Sequence, residues 1–260
     1  MTQTKLAEKQ ADEILDTCLK AGRLMLEGGS EIYRVEDTML RIAHNAGVEE
    51  ARCFITPTGI FMSLGQHSYT QITQVKNRNI NLELVDRVNE LSRKFAAKEI
   101  TLKQLRKKLQ EISRALPDFP IWLQILGATI MSPTLMILFM GAYDWADFLP
   151  AAIIGGGSYG FFLGMKRYTS VRFLAELVTA IVMATSTICL CRLLPILKVD
   201  NIIIGALMTL VPGVAITNAL RDLFTGDLLS GISRAVEALL TAVALGGGIG
   251  FAIKVFAGGL

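Results

Sequence analysis

Residues 119–143 carry no charged side chain, and this run restricts the fold more than any other feature of the chain. At about 1.5 Å rise per residue, a helix of that length exceeds the roughly 30 Å hydrocarbon core of a bilayer. Backbone polar groups in hydrocarbon must be satisfied within the segment, so such a run takes helical form. Four further apolar runs follow at about 147–165, 172–193, 200–220 and 230–256, separated by short polar turns. The sequence therefore predicts a multi-span α-helical membrane protein, with about five transmembrane helices in a membrane domain at 119–260.

The first 118 residues are chemically different. They hold 18 of the 26 Lys/Arg and 16 of the 23 Asp/Glu, which marks a small soluble α+β domain at 1–118. Leu6, Ile14, Leu15, Cys18, Leu19 and Leu26 fall near helical spacing, and Gly28–Gly29 end that helix. Ser30 is then expected as an N-cap, with Glu31 in the first turn of a second amphipathic helix reaching about Asn45. Two short strands are expected in "ARCFITPTGIFMSLG" and "YTQITQV", where "PTG" supplies a turn. Helices at roughly 81–97 and 101–115 complete the domain, whose size suffices for its own core.

Orientation follows from Lys and Arg. The basic stretch from Arg87 to Arg114 and the loop with Lys166, Arg167 and Arg172 belong inside. The turn at 143–147 has only acids, while Arg192 and Lys198 give a contrary signal at the 194–200 turn. Five spans from a cytoplasmic N-terminal domain place the 221–229 loop inside and the C-terminus outside. The first twenty residues lack an apolar h-region, so no cleavable signal peptide is expected. The basic stretch is interrupted by acids and reads as solvated helix faces, with membrane-lipid contact as its alternative and nothing pointing to nucleic acid.

Chemistry of the enzymatic kind finds little support. Cys18, Cys53, Cys189 and Cys191 lack the spacing of a disulfide framework or metal site. His44 and His67 stand far apart, without a nucleophile elbow or phosphate-binding motif, and no cofactor is expected. Arg34, Asp37, Thr38 and Arg41 share a helix face, with Glu31–Arg34 and Asp37–Arg41 as possible intrahelical pairs. Glycines at 156, 160 and 164, and small residues at 238, 242, 246 and 250, form stripes suited to close helix packing in lipid.

The membrane part offers more. Pro133 and Pro212 fall near the expected midplane, where each removes a backbone donor, and the resulting breaks are tolerated where they pack in protein or line a cavity. Glu176 and Glu237 lie within spans and are proton-coupling candidates. Thr217, Asn218, Arg221, Asp222, Asp227 and Arg234 gather around the inner end of the fourth span and the start of the fifth.

With these stretches in view, "GGSEIYRVEDTMLRIAHNAG…FITPTGIFMSLG" and "LMTLVPGVAITNALRDLFTGDLLSGISRAVEALLTA" resemble the threonine/serine exporter family, whose members include two-component succinate exporters of bacteria. The resemblance spans nearly the whole chain. It implies a cytoplasmic N-terminal domain followed by an inner-membrane domain that, in full-length members, has about ten spans. A chain with about five then resembles one component of a split exporter, completed by a second small membrane subunit of about five spans or by self-association. A second unit of that kind would be inverted relative to the first. The family motif matches Pro212, Gly213, Thr217, Asn218, Arg221, Asp222, Gly226, Asp227, Ser230, Gly231, Arg234 and Glu237 here. It implies substrate binding or gating around the Pro-Gly break, with Arg221 suited to a substrate carboxylate through its planar fork. Asp222, Asp227 or Glu237 is then available for a substrate ammonium or a proton.

The expected function is export of small carboxylate-bearing metabolites, threonine/serine or a succinate-like dicarboxylate, by a secondary transporter without an ATP-binding motif. Two alternatives stay open: a regulatory or assembly subunit of a membrane complex, and a membrane-anchored hydrolase.

Overall fold

The computed structural model describes residues 2–65, 69–76, 80–114, 119–141, 143–169, 171 and 173–256; His67 and Arg172 lie outside the described residues. It is mostly helical and forms two compact units. One comprises Met1–Pro117 with Val214–Ala235, the other Asp118–Gly213 with Val236–Leu260. The chain thus does not divide once at 118/119, because a segment late in the sequence packs with the N-terminal residues.

In the first unit, α1 (Thr2–Glu27) and α2 (Ile32–Asn45) precede strands β1 (Ala51–Thr56), β2 (Gly59–Leu64) and β3 (Tyr69–Gln74), then α3 (Leu82–Ala96) and α4 (Leu102–Arg114). Three strands form where two were expected, because the Pro57–Thr58 turn splits the first stretch into a hairpin. Thr56 Oγ1 closes that turn, accepting from Gly59 N–H and donating to its carbonyl, both at 3.1 Å. The antiparallel order is β1-β2-β3. Alternation along β2 buries Ile60, Met62 and Leu64 against a core built from Leu15, Cys18, Met25, Met39 and Val88. Cys18 behaves as a small hydrophobe there, and burial pushes its thiol up to about 12.

Local signals set the later helix starts. Asn81 Oδ1 accepts from Leu84 N–H at 3.0 Å. Thr101 and Gln104 form a reciprocal box, with Thr101 N–H donating to Gln104 Oε1 at 2.8 Å and Gln104 N–H to Thr101 Oγ1 at 3.3 Å. Several residues of the basic stretch are paired, as in Arg87–Glu83, Lys94–Glu90 and Arg106–Asp16. On α2 the expected pairs Glu31–Arg34 and Asp37–Arg41 are present. Thr38 does not share their face: it is buried, with Oγ1 donating to Asn89 Oδ1 at 3.2 Å.

The second unit contains α5 (Ile121–Met140), α6 (Trp145–Tyr168), α7 (Leu174–Leu193) and the short α8 (Val199–Leu207). Helix α9 (Gly213–Phe224) belongs almost wholly to the first unit, and α10 (Leu228–Phe256) contributes its first two turns to the first unit and the rest to the second. Among the described residues, α5, α6, α7 and α10, of 20, 24, 20 and 29 residues, are long and apolar enough to cross a membrane. The run at 200–220 is not one helix. Turns at 208–210 and the Val211–Pro212 step separate α8 from α9, whereas Pro133 sits inside an uninterrupted α5.

Small residues set the packing of the second unit. Side chains at Gly155 and Gly156 would collide with Ser132 and Thr129 of α5, and one at Gly160 would press on Ile125. The α6 stripe therefore lies against α5, except at Gly164, which has open space around it. Ser132 Oγ donates to the Ala151 carbonyl at 2.7 Å, tying α5 to α6 near Pro133. The α10 stripe holds only at Ala238, which is buried: Ala242 is exposed, Gly246 and Gly250 meet nothing, and the packed face continues through Leu245, Gly248 and Ala252. A Cβ at Gly248 would come within 2.7 Å of the Leu177 carbonyl on α7.

A buried aspartate organises the far end of this unit. Asp147, fully buried in the first turn of α6, accepts from Lys198 N–H at 3.0 Å and Asn201 Nδ2 at 2.7 Å. It thereby caps α8 from another helix, since Lys198 at the N-cap position provides no side-chain cap of its own.

Gly205 of α8 would place a Cβ 2.8 Å from the Ser132 carbonyl and 2.9 Å from Met136 Cβ. Gly205→Ala is expected to destabilise by about 1–3 kcal/mol through overpacking, despite the better helix propensity of alanine. Gly157→Ala, in open space, is expected to be neutral or mildly stabilising. Thermal unfolding of both variants in detergent checks the contrast.

Candidate functional site

The site begins with the end of α1. Gly29 adopts φ 84°, its N–H donates to the Leu26 carbonyl at 3.1 Å, and Ser30 N–H donates to the Met25 carbonyl at 3.0 Å. This is a Schellman ending, which favours glycine at the left-handed position. Gly28 is required for a different reason, because a Cβ there would lie 2.9 Å from Val85 and 3.0 Å from the Asn81 carbonyl. The turn leaves the carbonyls of Gly29 and Ser30 outside the α1 hydrogen-bond ladder. It also opens α2 with bare N–H groups: Glu31 occupies the N-cap position without a side-chain cap bond. Ser30 is therefore not the cap expected from sequence.

The missing partners come from about 190 residues away. Asp222 Oδ1 accepts from Ile32 N–H at 3.2 Å, so an aspartate of α9 caps α2. Its negative charge also suits the positive end of the α2 dipole. Asn218 Nδ2 donates to the Gly29 carbonyl at 2.8 Å, and Arg234 Nη2 donates to the Ser30 carbonyl at 2.8 Å. Arg221 pairs with Glu31, which Arg34 approaches from the other side at 3.5 Å. Residues 28–32 are thus held by four side chains of the segment 218–234, all within the first unit.

Spacing explains the arrangement on α9. Asn218 and Asp222, four apart, lie on one face and are buried, while Arg221 emerges at the side with its side chain 49% exposed. Asp222 is fully buried, and Arg234 Nε stands 3.3 Å from its Oδ2. Burial pushes the Asp222 carboxyl above its ordinary value, against the pull of the Arg234 guanidinium and the Ile32 N–H. Both contacts are longer than the usual 2.7–2.9 Å of charge-assisted bonds, so desolvation outweighs them. Among the described residues Ser30 Oγ, also buried, has no hydrogen-bond partner.

The structure brings Asn218, Arg221, Asp222 and Arg234 into one cluster. Asp227 sits at its margin, immediately before α10, where its N–H donates to the Asp222 carbonyl at 2.9 Å. Thr217 lies outward on α9. Pro212 and Gly213 belong to the second unit and end the non-helical step between α8 and α9. Glu176 is in the first turn of α7 and Glu237 in the third turn of α10, both half-buried. Helical spacing offers Glu31 only as a local partner of Arg34, and its long-range pair with Arg221 is visible only in the fold. The Asp147–Asn201 contact is likewise a product of the fold, its one signal in the sequence being an acid at the very start of an apolar run.

An apolar groove of about 670 Å³ lies between α7 and α10, lined by residues such as Leu177, Ile181, Leu240, Val243 and Phe251. Its lining among the described residues is apolar and offers no group that could recognise a carboxylate. Among the described residues no cluster of three or more His, Cys, Asp or Glu is arranged to hold a metal ion.

Long apolar helices joined to an α+β region with a buried polar cluster define an integral, multi-span α-helical membrane protein. The chain matches the family described as "Putative threonine/serine exporter" over residues 16–256 and belongs to that family of transporters. It is 24% identical over 230 residues to the "Probable succinate transporter subunit YjjP" of Klebsiella aerogenes, covering 86% of this chain and 87% of that protein. No solved structure matches the chain.

Because the folded-state carboxyl of Asp222 titrates above its ordinary 3.8, folding favours the protonated form. The corresponding stability is complete below that value and is lost as pH rises through the raised one. Asp222→Asn keeps an acceptor for Ile32 N–H and is expected to flatten this part of the pH profile of thermal unfolding. Asp222→Ala removes the cap and the counter-charge of Arg234 together, at a cost of about 3 kcal/mol or more. Unfolding curves of the three proteins across the acid range separate the two effects.

Proposed function

We propose that the chain is one subunit of a secondary transporter that exports small carboxylate-bearing metabolites, threonine and serine or a succinate-like dicarboxylate, from the cytoplasm. The observation that carries this reading is the family match across nearly the whole chain. The description of the relative as a transporter subunit supports completion of the pathway by a second small membrane protein of about five spans, or by further copies of this chain.

In this reading the N-terminal region is cytoplasmic and the C-terminus outside. The fourth crossing is built from α8 and the non-helical step at 208–212. Nine residues of α8 span only about 14 Å, less than half of a bilayer core. The remainder crosses without regular helix, which lipid does not tolerate unless the segment is packed in protein or lines a cavity. Discontinuous helices of this kind form midplane sites in many transporters. Pro212 and Gly213 act as the hinge of this crossing, and Glu176 and Glu237 are the carboxylates available for proton coupling.

Arg221 is the substrate-facing group. Its guanidinium meets one carboxylate, Glu31, and stays half-exposed, so an incoming substrate carboxylate competes with Glu31 for the same fork. Asn218, Asp222 and Arg234 serve the gate by holding residues 28–32, and Thr217 and Asp227 border it. A threonine or serine ammonium would require an acidic neighbour that a dicarboxylate would not.

Efflux from cells preloaded with labelled threonine, serine and succinate tests this reading, with the chain expressed alone and with a five-span partner. Export of one substrate is expected only with the partner. Arg221→Ala is expected to reduce export about tenfold or more, the loss of a charge-assisted contact, and Arg221→Lys to restore it only in part. Wild-type export by Arg221→Ala would remove Arg221 from the site.

A further inference from the structure

Helix α9 is amphipathic in the opposite sense to a surface helix of a soluble domain. Its polar residues Asn218 and Asp222 are buried, while Ile216, Leu220 and Phe224, also spaced by four, face outward at 40%, 51% and 87% exposure. The first turns of α10 continue the pattern, with Leu228, Leu229 and Ile232 each more than half exposed. The two helices are joined closely: a Cβ at Gly231 would lie 2.6 Å from Leu223 Cγ and 2.9 Å from Leu223 N. A six-residue apolar surface therefore stands on the unit that otherwise carries most of the charge of the chain.

We infer that this surface lies in the acyl–headgroup boundary of the phospholipid bilayer, with α9 an interfacial helix that runs along the membrane instead of across it. Three observations commit the surface to lipid. It is continuous with α10, whose 29 residues form a candidate membrane span. A helix of that length is about 43 Å, longer than the roughly 30 Å hydrocarbon core, so its first turns lie at the boundary. With its polar face consumed by residues 28–32, α9 has only its apolar face left to bury, and the partly exposed Arg221 at its flank suits phosphate headgroups. The cluster around Asp222 then lies at the membrane surface.

Depth-dependent fluorescence quenching tests this in the full-length chain, reconstituted in phosphatidylethanolamine–phosphatidylglycerol vesicles. The two native tryptophans, Trp122 and Trp145, are replaced by Phe, and Phe224→Trp and Leu228→Trp are examined separately. Both positions are exposed, so neither substitution disturbs packing. Expected are a blue-shifted emission and quenching about twofold stronger by lipids brominated near the ester end than near the methyl end, as for a helix buried roughly 5–10 Å. Lys107→Trp, on the solvated side of α4, should stay unquenched. Strongest quenching by methyl-end bromine would instead make α9 part of a transmembrane segment and overturn the proposal. Red emission without quenching would place the surface in water, and blue emission without quenching would place it against protein, as a second copy or a partner subunit; either result overturns it.

Discussion

The start of α2 depends on a carboxylate that is not its own. A helix leaves its first N–H groups without intrahelical partners, and the local chain here offers none, because the Schellman turn that ends α1 places Glu31 at the cap position with its side chain directed to Arg221. Asp222 supplies the acceptor from the far end of the sequence, and Arg234 balances the buried charge. Once that contact exists, Asn218 and Arg234 satisfy the carbonyls of Gly29 and Ser30. The assignment of residues 214–235 to the N-terminal unit follows from it. The same device recurs in the second unit, where Asp147 of α6 caps α8. In both places a buried aspartate from one helix fixes where another begins, which makes the pairing of distant segments specific and its loss costly.

This arrangement gives physical content to the two long motifs of the chain. "GGSEI" supplies an unusual backbone, with a glycine at positive φ, a glycine without room for a side chain, and two outward carbonyls. "NALRD" and the later Arg234 supply the side chains that read that backbone. The cluster pairs a buried Glu31 with a partly exposed Arg221 at its edge and carries at its centre a carboxyl whose titration is displaced upward by burial.

Much of the architecture was legible in sequence because its causes are local. The charge-free run at 119–143 announced α5, and Gly28–Gly29 announced the end of α1. The family was legible from the two motifs. What was not legible depends on contacts between distant residues. Ser30 has the chemistry of a cap, and only the fold shows that Asp222 takes that role. Hydropathy marked 200–220 as one span with a break at Pro212, but it could not say that the polar face of α9 turns inward. Spacing likewise proposed Ala238, Ala242, Gly246 and Gly250 as the packed stripe of α10; Ala238 is buried, but the packed face continues through Leu245, Gly248 and Ala252, and Ala242, Gly246 and Gly250 are exposed.

The most direct measurement of the central claim is amide hydrogen exchange over residues 28–35 in the wild-type protein and in Asp222→Ala. Ile32 N–H has no partner in its own helix, so its protection reports the contact with Asp222. Faster exchange across 28–35 in the variant, with β1–β3 unchanged, is the expected result. Equal protection in both proteins would mean that α2 is capped by something else and that the two motifs do not depend on one another.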